Sequence, residues 1–392
     1  MITAGHDWAV DAHAGVAGPP GAGGRPVLTA AQREALGYVR GLARRDSAAD
    51  RRAAAVLARA GIEAEVTELC SRVAVAGRVA LNFHPDRIAA DGQMVVEGLL
   101  RDGVYRSQFE TGISNGSLGA VRDGFEARLF AGVYAHSEVS PAERPRYGGL
   151  DLVGHPDGPC PRFGSCHLRL RPEVLDRCSF SFGDSVTKPT AVGTIDAFEP
   201  VLAALMEAAE AGGHTSVLSP QGTVLGIEAP TPAGVVHLLA EGRSARAAAG
   251  RALDDYIEAQ VHGPVRLPDD VEALVADPSF RRARIGELLE ELASRFGLEL
   301  SWHHGFQLKA HEVPAEFRGP EVRVLARRVA ADFGDGNGRI DAEVLGRAAR
   351  AVVTHPKQWA DHGERAETLQ HLKQLWHVLV AYGRPVDNQT GQ

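Results

Sequence analysis

Tyr256, Glu258, Gln260 and His262 alternate with Ile257, Ala259 and Val261, and this alternation constrains the fold more than any other stretch of the chain. A period of two puts the first four side chains on one face of a strand and the other three on the opposite face. Glu258 is thereby a carboxylate flanked by apolar residues inside a sheet, which costs free energy unless the charge is satisfied or used. Two further segments repeat the pattern. His167 and Arg169 alternate with Cys166, Leu168 and Leu170, and Ser179 and Ser181 alternate with Phe180 and Phe182.

The stretch from Leu81 to Leu118 concentrates the remaining unusual chemistry. Val79, Leu81 and Phe83 alternate with Ala80, Asn82 and His84, which predicts a short strand that Pro85 ends. Helical spacing runs from Ile88 to Leu100 until Asp102-Gly103 breaks it. Val104 to Phe109 reads as a second strand carrying Tyr105, Arg106 and Gln108, followed by a polar turn from Glu110 to Ser117.

Around these segments the patterns predict one or two helices over 30–59, with Thr29 as a candidate N-cap, and others over 62–76 and 198–211. Val217-Leu218, Val224 to Ile227 and Val235 to Leu239 are short strand candidates. Beyond residue 281 the texture is helical over 281–295, 319–331, 341–354 and 365–382, interrupted at Ser301 to Phe306. The expected class is α+β: a flexible tail over 1–26, a helical region over 27–78, a mixed α/β core over 79–280 that carries the site, and a mostly helical supporting region over 281–392.

Length and composition set outer bounds. A chain of 392 residues with 44% hydrophobic and 23% charged residues has the composition of a soluble globular protein of two or three domains. A formal charge of −8 gives no support to general nucleic-acid binding. No apolar run reaches the length of a membrane span, and the first residues lack the basic and apolar blocks of a secretory signal. A cytoplasmic location is the expectation, although signal-independent export would leave no such mark. The four cysteines, at 70, 160, 166 and 178, lack zinc-knuckle spacing and read as reduced thiols.

No zinc-peptidase helix, phosphate-binding loop, dinucleotide fingerprint or nucleophile elbow occurs. Phe333 to Val344 has the glycines of a calcium loop but places Phe333 and Val344 where carboxylates belong, so a surface turn is expected. His84, Asp86 and Arg87 form a candidate base or ligand-binding cluster. Arg106, with Gln108 beside it, has the geometry for a phosphate or for a structural ion pair. Glu258 with Gln260, and Ser179 with Ser181 on a neighbouring strand, add a carboxylate that can stabilise positive charge at a sugar carbon. Arginine for phosphate, serine for scaffold and glutamate for an oxocarbenium-like ribose form a set suited to breaking an N-glycosidic bond. A metal-dependent hydrolase using His303, His304 and Asp86 lacks any specific ligand spacing.

The signatures NFHPDR (82–87), YRSQFETGISNG (105–116), RPRYG (144–148), PRFGSC (161–166), FSFGDS (180–185), YIEAQVHG (256–263) and HLKQLWHVLV (371–380) resemble a bacterial family known as domain of unknown function 3626. A second resemblance is to the ADP-ribosyltransferase-like superfamily. His84 followed by Val95 to Leu99 is similar to its first strand and helix, Ser179 to Ser181 to its serine-bearing strand, and Glu258 with the prolines after it to its catalytic strand. That resemblance implies a mixed-sheet core and NAD as the substrate whose nicotinamide–ribose bond is cleaved, by transfer to an acceptor such as a protein or by hydrolysis. It also implies Glu258, His84 and Gln260 in catalysis, Arg106, Gln108, Ser179 and Ser181 in NAD binding, Tyr147 as the middle residue of a histidine-first arrangement, and no metal. Tyr256 stands two residues before Glu258, where the superfamily often has an acid or glutamine. A non-catalytic nucleotide- or protein-binding module stays open beside the enzyme.

Overall fold

The computed structural model describes residues 26–113, 120–215, 221–246 and 248–386. The expected tail therefore lies, apart from its last residue, outside the described residues, as do Val217-Leu218 and the end of the 110–117 turn.

The core is one large mixed sheet. Its strands are β1 (Arg78–Phe83), β2 (Arg146–Asp151), β3 (Cys166–Leu170), β4 (Cys178–Phe182), β5 (Val192–Thr194), β6 (Ile257–Val261), β7 (Val271–Ala276) and β8 (Glu299–Trp302). They lie in the order β8-β7-β3-β1-β2-β6-β4-β5. Every pairing is antiparallel except the edge pair β7 and β8. Register carries the alternation across the strands. Leu274, Leu168 and Leu81 align in one apolar row, and Ala259 lies opposite Phe180 in another. On the other face Tyr147, Gln260 and Ser179 align, as do Gly149, Glu258 and Ser181.

Among the helices are α1 (Ala30–Arg45), α2 (Ala49–Arg59), α3 (Val66–Ala76), α4 (Val95–Asp102), α5 (Glu199–Glu210), α6 (Pro232–Glu241), α7 (Arg284–Phe296), α8 (Pro320–Phe333), α9 (Ala342–Thr354) and α10 (Arg365–Tyr382). Thr29 caps α1 through a reciprocal capping box with Gln32. Helix α5 lies on β4 and β5, with α2 packed on α5 and α3 on α6. Phe180 meets Phe198 edge-on at 5.6 Å beneath this layer. Helices α8, α9 and α10 pack on one another, and α7 packs on α4 and β7. The region after residue 280 supplies edge strand β8, and its apolar side chains belong to the same continuous buried cluster as those of the sheet.

Three expected elements differ. The helix foreseen from Ile88 begins only at Val95, because Asp91-Gly92 forms a turn and Ile88 bridges back to Met94. The strand foreseen over 104–109 is two residues long, Val104–Tyr105, and Ser107 then caps a one-turn helix, Gln108–Thr111, in a capping box with Glu110. Val235 to Leu239 lies within α6 and not in a strand, since Thr231 caps a helix whose first residue is Pro232. Val224 and Ile227 each sit in a two-residue strand of a small hairpin, and the 333–344 stretch forms a turn in which Asp341 caps α9 through the Val344 N–H (3.0 Å).

Trp376 joins the C-terminal helices to the sheet. It is fully buried, its indole N–H donates to the Pro161 carbonyl at 2.9 Å, and His84 and Phe306 meet it edge-on at 5.2 and 5.9 Å. Trp376→Ala should lower unfolding free energy by about 3–5 kcal/mol in urea titrations. A loss under about 1 kcal/mol would show that α10 is not integral to the core.

Candidate functional site

A cleft of about 360 Å³ opens against the polar face of the sheet. Its lining comes from the end of β1 (Asn82, Phe83, His84), from Arg87, from α4, from the 104–113 segment, from β2, from Arg162 and Phe163, and from Tyr256, Glu258 and Lys373. Of the candidate site residues read from the sequence, His84, Arg87, Arg106, Gln108, Tyr147 and Glu258 line it together. Ser179, Ser181 and Gln260 are not among the lining residues. They are buried behind it.

Glu258 is almost wholly buried at 4% exposure, yet borders the cleft. Gln260 Nε2 donates to its Oε1 at 2.8 Å, while the Ser185 N–H and hydroxyl, both at 3.3 Å, and the Tyr256 hydroxyl at 3.5 Å reach its Oε2. Behind Gln260 the polar row continues. Ser179 Oγ donates to Gln260 Oε1 (2.7 Å), so the Ser179–His262 contact (3.1 Å) takes its proton from His262 Nε2. His262 Nδ1 is then left to accept from the Tyr134 hydroxyl at 2.6 Å. Burial, with Arg177 and Arg146 nearby, pushes the His262 pKa down to about 3, in keeping with a neutral ring. Ser181 Oγ donates to the Gly183 carbonyl (3.1 Å) and takes a longer contact from Gln260 (3.4 Å).

The other side of the cleft is basic. His84 Nδ1 lies 3.2 Å from Ser165 Oγ, and burial beside Arg87, His377 and Lys373 holds its pKa well below the ordinary value. Arg106 forms ion pairs with Asp102 and, at 3.5 Å, with Asp91. Arg146 pairs with Glu110 (3.3 Å) and donates to the carbonyls of Arg144 and Gly263 (both 3.1 Å). Arg162 pairs with Asp184 (3.1 Å) and Asp254 and lies 4.6 Å over the Phe163 ring. Phe163 in turn meets Tyr256 edge-on at 5.7 Å. Tyr147 donates its hydroxyl to Glu126 Oε1 at 2.8 Å.

Asp86 does not face a ligand position. Its carboxylate lies against Gly346 of α9, where any Cβ would overlap it, with Arg350 Nη1 3.5 Å away. Burial pushes its pKa up to about 6. His303 is occupied by the Ser165 carbonyl and the Gly305 N–H, both at 2.9 Å, and His304 is exposed. Among the described residues no three His, Cys, Asp or Glu side chains gather to hold a metal ion. All four cysteines are free; Cys160, Cys166 and Cys178 are buried and their thiol pKa values are raised by that burial. No described helix is long and apolar enough to cross a membrane.

Ser185, Arg162 and Lys373 are site residues that sequence reasoning missed. Ser185 lies in the FSFGDS signature, two residues past a glycine at φ 92°, a turn that aims its N–H at the sheet. Arg162 and Lys373 lie in the PRFGSC and HLKQLWHVLV signatures, but only the tertiary fold brings them to the cleft.

The sequence matches the family described as Protein of unknown function (DUF3626) over residues 78–382, and the chain belongs to that family. The matched span contains every strand of the sheet and every residue of the cleft. No curated protein matches the chain.

Acid stability tests the neutral state of His262. A histidine held neutral when folded takes up its proton only on unfolding. Its contribution is therefore present above pH ~6.5 and is lost as pH falls from there through about 3. Urea midpoints of the wild type should fall more steeply across that window than those of His262→Gln, which has no ring to titrate. Equal slopes would mean that His262 is protonated in the folded chain.

Proposed function

We propose that this protein cleaves the nicotinamide–ribose bond of NAD, on an ADP-ribosyltransferase-like core, and passes the ADP-ribosyl group to an acceptor or to water. The observation that carries the reading is Glu258, a buried carboxylate held by donors on both oxygens at the edge of a cleft with aromatic and guanidinium walls. As the anomeric carbon–nitrogen bond breaks, its electron pair goes to the pyridinium ring and nicotinamide leaves neutral. The ribose carbon becomes oxocarbenium-like, and a fixed carboxylate stabilises that charge without reorganising. An acceptor oxygen or nitrogen then bonds to the same carbon and gives up its proton.

In this mechanism Gln260 and Ser179 are positioning residues, acting through Glu258 and not on the substrate. Tyr256 and Phe163 give the ring system an apolar wall. His84 and Tyr147 offer polar atoms at the cleft surface. Arg106 is a weaker phosphate clamp than its position in the chain suggests, because Asp102 and Asp91 already engage it.

Glu258→Gln keeps size and removes the charge, so NAD binding should persist while nicotinamide release falls about 100-fold or more. The assay is nicotinamide release with protein, nucleic-acid and small-molecule acceptors, beside a binding isotherm for each variant. Wild-type protein that binds no NAD refutes the proposal. NAD bound but never cleaved, with any acceptor, makes the cleft a nucleotide-binding module instead.

A further inference from the structure

The cleft's cations are not equivalent. Arg106, Arg146 and Arg162 each have at least one carboxylate within ion-pair distance. Arg87 lines the same cleft, and its guanidinium has no hydrogen bond or ion pair to any described residue. Its chain neighbour Asp86 contributes a favourable field, but that carboxylate is seated against Gly346 and reached by Arg350. Burial holds the Arg87 pKa below its ordinary value. It nevertheless stays charged, because a guanidinium starts from above ~12. A half-buried charge with none of its donors used is costly, and an oxyanion that accepts two of its N–H groups removes that cost.

We infer that Arg87 is the anchor for a phosphate group of the ligand, and that the ligand is bipolar, with its phosphate at Arg87 and its cationic or incipiently cationic centre at Glu258. His84 borders the anchor from the end of β1. Held neutral, it adds a hydrogen-bonding edge without adding a second charge. The inference shares the cleft with the proposed reaction, yet it does not require that NAD be cleaved. It fixes the chemical class of ligand: a phosphate ester or pyrophosphate carrying a ring at the opposite end.

Inorganic pyrophosphate is the probe, titrated calorimetrically at constant ionic strength against the full chain. Arg87→Gln should weaken its binding at least ~10-fold, and Arg106→Gln by no more than ~3-fold, since Asp102 and Asp91 hold Arg106 already. Arg87→Lys should recover part of the loss. Thermal melts without ligand separate binding from structure. Arg87→Gln should melt at or above the wild-type temperature, because it breaks no hydrogen bond or ion pair and relieves a buried charge, whereas Arg146→Gln should melt lower. Wild-type protein that does not bind pyrophosphate overturns the inference. So does undiminished binding by Arg87→Gln, or a lowered melting temperature for that variant. Pyrophosphate binding through Arg87 in a protein that never releases nicotinamide would leave the anchor standing and end the cleavage reading.

Discussion

The hydrogen bonds behind Glu258 all point the same way. Tyr134 donates to His262, His262 to Ser179, Ser179 to Gln260, and Gln260 to the carboxylate. His262, Ser179 and Gln260 each accept and donate, so none of the three is left unsatisfied at the sheet's core. Such a row is what makes a charge tolerable at 4% exposure. The direction is set by chemistry at the far end: a carboxylate can only accept, so Gln260 must present its NH₂, and the choice propagates back to the tautomer of His262. Strand geometry supplies the spacing, because register places Gln260 opposite Ser179 on one side and Tyr147 on the other. A residue at 258 with no side-chain acceptor would leave the whole row without a terminus.

The cleft depends equally on parts of the chain far from this row. Strand β1 ends at Phe83, and the next residues are pinned by the C-terminal helices: His84 against Trp376, Asp86 against Gly346. Arg251, at φ 52°, donates to the carbonyls of Val380 and Gly383 (2.9 and 2.7 Å), closing the end of α10. Asp157 accepts from the Gly250 and Arg251 N–H groups at 2.7 and 2.8 Å, so the segment leading into β6 is tied at Gly250-Arg251 to Asp157 as well as to α10. Through these contacts the helical region after 280 sets the position of His84 and Arg87 and so shapes the site it does not line, apart from Lys373.

Strands were legible wherever one face was apolar and the other polar, as in β3, β4 and β6, because burial of one face enforces a period of two. Helix α10 was legible because Leu372, Leu375, Trp376 and Leu379 recur at helical spacing and all are buried. The misread segments had local signals that hydrophobic periodicity overrode. Ser107 and Glu110 make a capping box, and Thr231-Pro232 is a helix start. Which polar residues share the sheet face was legible; which of them reach the cleft was not. That Gln260 and Ser179 are covered while Tyr147 and Glu258 border the cleft depends on what packs above each strand. The same holds for the cations, since an arginine's availability depends on where its acids fall in space.

That pairing of charges also decides what kind of anion suits the cleft. Four guanidiniums and a lysine line it, which in isolation suggests a groove for a polyanion. A polyanion needs a row of cations with charge to spare. Here the acids at 102, 110 and 184 engage three of the guanidiniums, and Glu258 adds a buried negative charge of its own. Arg106 and Arg146 thereby hold the 104–111 segment against its neighbours, and Arg162 fixes the aromatic wall at Phe163. Repulsion from Glu258 would oppose a second phosphate along the floor, while a cationic ring or an oxocarbenium-like sugar is attracted there. On the proposed reading, the ligand that fits this cleft carries charge of opposite sign at its two ends.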